Sequence, residues 1–275
     1  MPSTKASHPI GVFDSGFGGI TILRGIVKAL PQYDYLYLGD TARTPYGTRS
    51  PEVIYEFTRQ AVDFLFSQGC PLIILACNTA SAEALRKIQQ EYLPKKYPGK
   101  RVLGVLIPAA QDAVRVTNGR VGVIATSGTV ASEAFVHELK KLDPSLSIYQ
   151  QACPLLVPLV EEGEERSEVA HLLLKKYLAP LQKKKIDTLV LGCTHYGVLE
   201  RAIKKIVGAG VHVVSEEKSV PKKLGGYLTD HSALEKKISR GATVRFTTTD
   251  LTEKFQLLGS RFFGSPIAAE KINLQ

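Results

Sequence analysis

The chain has 275 residues, more than one ordinary domain needs, and its 44% hydrophobic and 22% charged residues fit a globular protein and exclude the disordered and fibrous classes. Its formal charge is +9, but the lysines stand in scattered pairs and triplets at expected helix ends (Lys95 and Lys96, Lys183 to Lys185, Lys204 and Lys205, Lys222 and Lys223, Lys236 and Lys237), without interleaved aromatics. That pattern reads as solvated faces and disfavours a nucleic-acid groove, while a general positive field favours a small anionic substrate.

No apolar stretch reaches the roughly 18 residues of a membrane span. The N-terminus MPSTKASHPIG lacks the regions of a signal peptide, so a cytoplasmic location without membrane association is expected. Cys70, Cys77, Cys153 and Cys193 are too few and too dispersed for a disulfide scaffold, and no C-x-x-C pair suggests a zinc knuckle. Reduced thiols are expected.

In chain order, apolar runs bounded by Gly, Pro, Asp or Ser predict strands at PIGVFDSG (9–16), YDYLYLGD (33–40), PLIILACN (71–78), RVLGVLIP (101–108), RVGVIATSG (120–128), IDTLVLGC (186–193) and VHVVS (211–215). Helical patterns lie between several of them. From Ser50 to Gly69, Ser50 can cap, Pro51 fits the first turn, Val53, Ile54, Phe57, Ala61, Phe64 and Leu65 supply one face, and Gly69 can close the end. From Ser167 to Lys185 the apolar side comes from Leu172, Leu173, Leu174, Leu178 and Leu181. This alternation predicts an α/β protein with parallel sheets covered on both faces.

A faint internal repeat accompanies it. VFDSGFGG and VIATSGTV each follow a strand with a small polar residue and glycine, and LACNTA and LGCTHY each place a cysteine after a later strand. Two related α/β halves are expected, with both cysteines at the carboxyl ends of strands, where ligands settle in open parallel sheets.

Cys77 is followed by Asn78, Thr79 and Ser81, which can cap and serve a helix; Cys193 is followed by Thr194 and His195. A cysteine after a strand is commonly a small buried hydrophobe, but a helix start stabilises a thiolate and binds carboxylates. Cys70 and Cys153 lack such neighbours and are assigned to packing. His195 can tune the Cys193 thiol or hold a carboxylate, whereas a metal at Cys193-x-His195 lacks further ligands. Asp14 and Ser15 end the first strand ahead of GFGG, which is neither a dinucleotide signature nor a Walker loop, so no cofactor is expected there. The loop GDTARTPYG (39–47) is aimed at the same cleft, and Glu161 and Glu162 are exposed by default. Two thiols facing each other across a cleft could remove a proton from one face of a carbon and return it on the other. A thiol titrates near physiological pH, so one could rest as thiolate and the other as thiol.

VFDSGFGG, GDTARTPYG, ACNTAS, ACPLLVPLVEEG and GCTHY, in this order, resemble the hallmarks of the glutamate racemases, cofactor-independent enzymes of the aspartate/glutamate racemase superfamily. The likeness runs from Gly11 to about Asp230. It implies two α/β domains with the site between them, the first completed by the C-terminal segment; on this chain they are expected at 1–98 with 212–275, and at 99–211. It implies that Cys77 and Cys193 are the catalytic pair, that Asp14 assists the Cys77 side and His195 the Cys193 side, and that Glu161 supports His195. It further implies that Ser15, Tyr46, Gly47, Asn78, Thr79 and Thr194, together with Asp14 and His195, hold the substrate. Glutamate is the implied small-molecule partner, the product D-glutamate goes into peptidoglycan, and the resemblance leaves room for a homodimer. Two positions depart from the family pattern: Ile107 and Val214 stand where acidic residues are common, outside the matched catalytic set. The rival readings are an aspartate racemase, a non-catalytic amino-acid or nucleic-acid binding module, and a cysteine hydrolase; the last two leave one or both thiols idle.

Overall fold

The first apolar run, Ile10–Asp14, is buried at every position and forms strand β1. Residues 8–274 are described by the structure, a computed structural model, so the expectation for the first seven residues lies outside them. Nine more strands follow: β2 (Tyr35–Gly39), β3 (Leu72–Leu75), β4 (Arg101–Gly104), β5 (Arg120–Ala125), β6 (Ser147–Ala152), β7 (Thr188–Gly192), β8 (His212–Ser215), β9 (Val244–Thr248) and β10 (Ala269–Lys271). They form two sheets in which every pairing is parallel, one in the order β10-β9-β2-β1-β3-β4 and the other β6-β5-β7-β8. β1, β2, β3 and β7 are buried throughout, as strands covered on both faces must be.

The sheet order turns the faint repeat into a topological one. β2-β1-β3-β4 and β6-β5-β7-β8 are the same arrangement displaced by four strands, which makes β3 and β7 equivalent. It also corrects the expected boundaries. β4, expected with the second domain, pairs with β3, and β8, expected with the first, pairs with β7. Each half thereby keeps its fourth strand, since an apolar strand has nowhere cheaper to satisfy its backbone than beside the neighbour its own crossover reaches. β9 and β10 return to the first sheet beside β2. Buried residues of both sheets share one apolar cluster that includes Ile10, Val12, Ile124, Leu189 and Leu191.

The helices form where the sequence marks their ends. Pro51–Ser67 is capped by Ser50, whose side chain accepts from the Val53 N–H, and the chain leaves it through Gly69 at φ +88°. Its buried stripe is Ile54, Thr58, Ala61, Val62, Leu65 and Phe66, and Val53, expected inside, is 37% exposed. Likewise Glu168–Lys183 buries Leu174, Leu178 and Leu181 but leaves Leu172 exposed, because three successive leucines turn through most of the helix circumference and cannot all face one core. The run RVLGVLIP is not one strand: β4 stops at Gly104 and the helix Leu106–Val116 begins, with Pro108 in the first turn where a missing N–H costs nothing. Among the described residues no helix is long and apolar enough to cross a membrane.

Candidate active site

Four strands deliver polar residues to one place. Ser15 follows β1, Cys77 follows β3 by two residues, Thr126 and Ser127 follow β5, and Cys193 follows β7. All five line a single cavity of about 330 Å³, closed further by Tyr46, Gly47, Asn78, Thr79, Glu161, Thr194 and His195 and by the apolar Val157 and Pro158. The equivalence of β3 and β7 thus puts a sulfur from each half into a shared cavity. Of the residues expected at the site, Asp14 alone is absent from the lining; it is 1% exposed and stands behind the wall.

On the first half, Cys77 is the N-cap of the short helix Asn78–Glu83, and its Sγ accepts from the Ala80 N–H at 3.4 Å. The Ser15 hydroxyl lies 3.3 Å from the same sulfur. Burial pushes the Cys77 thiol up to about 11, and the Asp14 carboxylate adds to the rise while Ser15 opposes it. Asp14 is itself raised above the usual carboxylate range, by burial first, with nearby His195 and the Gly19 and Gly16 N–H groups pulling the other way. Gly19 permits this packing, because a Cβ there would meet the Asp14 Cβ at 2.5 Å.

On the second half, Cys193 precedes the 3₁₀ turn Thr194–Leu199, with its Sγ 3.9 Å from His195 Nδ1. The other ring nitrogen, Nε2, is 3.1 Å from Glu161 Oε1. A carboxylate can only accept there, so Nε2 carries a proton and Nδ1 is the nitrogen turned toward the sulfur. Glu161, exposed by default in the sequence, is therefore drawn half-buried against the ring, and only Glu162 beside it stays open, at 68% of its side chain. Burial holds the Cys193 thiol well above its ordinary range, helped by the charges of Cys77, Asp14 and Glu216 and opposed by the backbone N–H of His195. Burial thus holds both thiols above their ordinary range, against the expectation that one of them rests as a thiolate.

The remaining expected residues join the halves. Thr79 Oγ1 lies 3.0 Å from Thr126 Oγ1, and Thr126 lies 3.0 Å from Thr129. Gly47 packs its backbone against Thr126, where a Cβ would fall at 3.1 Å. Tyr46 is buried and its hydroxyl is bonded to Asp40. Thr194 presents its hydroxyl 3.5 Å from His195 Nδ1. Asn78 donates from Nδ2 to Glu216 Oε2 at 2.7 Å. Cys70 and Cys153 are buried elsewhere. Ile107 is the second residue of the helix Leu106–Val116 and Val214 is buried in β8, and neither lines the cavity.

Sequence reasoning missed Glu216, Thr126 and Ser127 as site residues. Thr126 and Ser127 had a signal, since VIATSG repeats the register of VFDSG; Glu216 had none, because an acid at a helix start is normally solvated. Among the described residues no group of three or more His, Cys, Asp or Glu is placed to hold a metal ion.

The Asp/Glu/Hydantoin racemase family matches this chain over residues 10–216. A glutamate racemase from Geobacter metallireducens is 42% identical over 260 residues, 94% of this chain and 93% of that protein. Among solved structures, a glutamate racemase from Bacillus anthracis superposes with a TM-score of 0.89 at 35% identity, covering 98% of both chains. One from Francisella tularensis in complex with D-glutamate gives 0.88 at 34% identity, over 98% of this chain and 99% of that one.

Proposed function

Because the chain belongs to the glutamate racemases of the Asp/Glu/Hydantoin racemase family, we propose that Cys77 and Cys193 are its two proton-transferring groups and that glutamate is the substrate they act on. The observation that carries this reading is that sulfurs from two equivalent strands line one cavity. A thiolate on one side takes the α-hydrogen as a proton, leaving a carbanion, and the thiol opposite gives its proton to the other face; one sulfur ends protonated and the other ionised, so the proton count balances. The α-ammonium group of the substrate brings positive charge to the sulfurs and favours ionisation of a thiol. On the Cys193 side the proton leaves to His195 Nδ1, the nitrogen that Glu161 keeps free, and Asp14 assists the Cys77 side. Ser15, Tyr46, Gly47, Asn78, Thr79 and Thr194 hold the carboxylates and the amino group. In the cell the product D-glutamate feeds peptidoglycan synthesis from the cytoplasm, the compartment in which four free thiols stay reduced.

A chirality-resolved assay without added cofactor tests the reading. The protein is expected to interconvert L- and D-glutamate, to leave aspartate largely untouched, and to wash deuterium from D2O into the α-position. Cys77→Ser and Cys193→Ser should each lose roughly 10²- to 10⁴-fold in turnover; parent-like racemisation by either variant would mean that the thiols are not the proton carriers.

A further inference from the structure

Glu216 is the first residue of the helix Glu216–Asp230, at the carboxyl end of β8, and is 3% exposed. Its Oε2 accepts from Asn78 Nδ2, in the other half of the molecule. Two oxygens are left over on this same pair: Glu216 Oε1 and Asn78 Oδ1 are both buried and both lack a partner. A buried orphan acceptor is costly, and two on one bonded pair share a single remedy. A proton on Oε1 lets the carboxyl group donate to the amide carbonyl while its other oxygen accepts from the amide nitrogen, closing a ring with two hydrogen bonds.

We infer that Glu216 works as a neutral carboxylic acid paired with Asn78, and that this pair is a positioning device for the reaction. It pins the cavity-lining residue next to Cys77 from the opposite half, and keeps a negative charge away from the thiols. The surroundings favour that form. Burial raises the Glu216 carboxyl to about 8, Asp14 adds to the rise, and only the Asn78 bond opposes it. Cations on the packed elements are engaged or turned out: Arg24 of the helix Gly19–Ala29 is held by Glu217 at 2.7 Å, Lys28 of that helix is exposed, and Arg115 of the helix Leu106–Val116 is bonded to its own Asp112; the His195 ring is held by Glu161. The nearby titratable groups that remain are Asp14 and Cys193. Ionisation would break one of the two bonds and make the Cys193 thiol harder to deprotonate.

The inference rests on the racemase reading for its effect on turnover, but the protonation of Glu216 is measured apart from it. Infrared difference spectra of the parent against Glu216→Gln, without substrate, should show a protonated carboxyl band at pH 7 that disappears as pH rises through about 8; no such band at pH 7 would overturn the inference whether or not the protein racemises glutamate. In turnover, Glu216→Gln offers a neutral amide that can make the same two bonds, and is expected within about threefold of the parent at pH 7. Glu216→Ala should lose roughly 10- to 100-fold in kcat/KM. The parent's kcat should fall above about pH 8 and that of Glu216→Gln should not. A Gln variant as impaired as the Ala variant would show that the carboxylate form is the one required, and one retaining the alkaline fall would show that another group causes it; either result overturns the inference.

Discussion

His195 Nε2 and Glu161 Oε1 lie 3.1 Å apart and join the turn after β7 to the helix Leu156–Glu161. This contact decides which ring nitrogen faces Cys193. Glu161→Gln removes the obligate acceptor and lets the ring take either tautomer, so kcat/KM should fall roughly 10- to 100-fold. Enantiomers have equal free energy, so kcat/KM must fall equally in both directions. The asymmetry should appear in kcat and KM taken separately for L- and D-glutamate. Unchanged parameters in both directions would remove Glu161 from the assembly.

Gly18 is the point where the first helix meets the second half. A Cβ there would sit 2.1 Å from Thr194 Oγ1 and 2.6 Å from His195 Nδ1, so Gly18→Ala must displace the residues beside Cys193. Turnover is expected to drop by about 10²-fold, since small misplacements of a proton acceptor are costly. Gly226, in the helix Glu216–Asp230 with nothing within 4 Å of an added Cβ, is the control. Gly226→Ala should leave turnover unchanged and stabilise the fold by about 0.5–1 kcal/mol, read by denaturant unfolding of both variants.

Thiol ionisation gives a third prediction. Burial pushes Cys77 up to about 11 and both Cys70 and Cys153 up to about 12. Alkylation follows the thiolate fraction, so labelling by iodoacetamide should be slow at pH 7 and rise about tenfold per pH unit toward pH 10. Cys77 and Cys193, which border the cavity, should be modified before the fully buried pair, and glutamate should protect them. Mass-spectrometric mapping of the cysteine peptides checks both the order and the slope.

Glu216 couples stability to pH. Its carboxyl titrates at about 8 in the folded protein against an ordinary value of 4.5, so between those values the folded state holds more protons than the unfolded one. Stability contributed by the neutral acid is therefore fully present below about pH 4.5 and is lost as pH rises toward 8. Glu216→Gln has no such proton to lose. Its Tm should gain on that of the parent between pH 5 and pH 8 and level off above; parallel curves would exclude a raised Glu216.

The local parts of this molecule were readable from the sequence. Ser50, Pro51 and Gly69 framed a helix because caps and turns act on adjacent residues, and the wording around Cys77 and Cys193 placed both at strand ends. What failed was set at a distance. The allocation of β4 and β8 depends on which neighbour a strand finds, and Val53 and Leu172 were misjudged because a stripe of apolar residues does not say which of its edges meets the core. The ionisation of the thiols and the role of Glu216 depend on burial produced by both halves together, a quantity that no short stretch of sequence contains.

The repeated strand order has one more consequence. Two copies of one L-residue fold can be brought into coincidence by turning, never by reflecting, whereas the two faces of a glutamate α-carbon are mirror counterparts. Two identical toolkits would therefore surround a bound carbon as rotated copies and not as mirror images. The companions of the sulfurs are in fact unlike, Ser15 and Asp14 on one flank and His195 with Glu161 on the other, so the duplication seen in the strands does not extend to the groups around them.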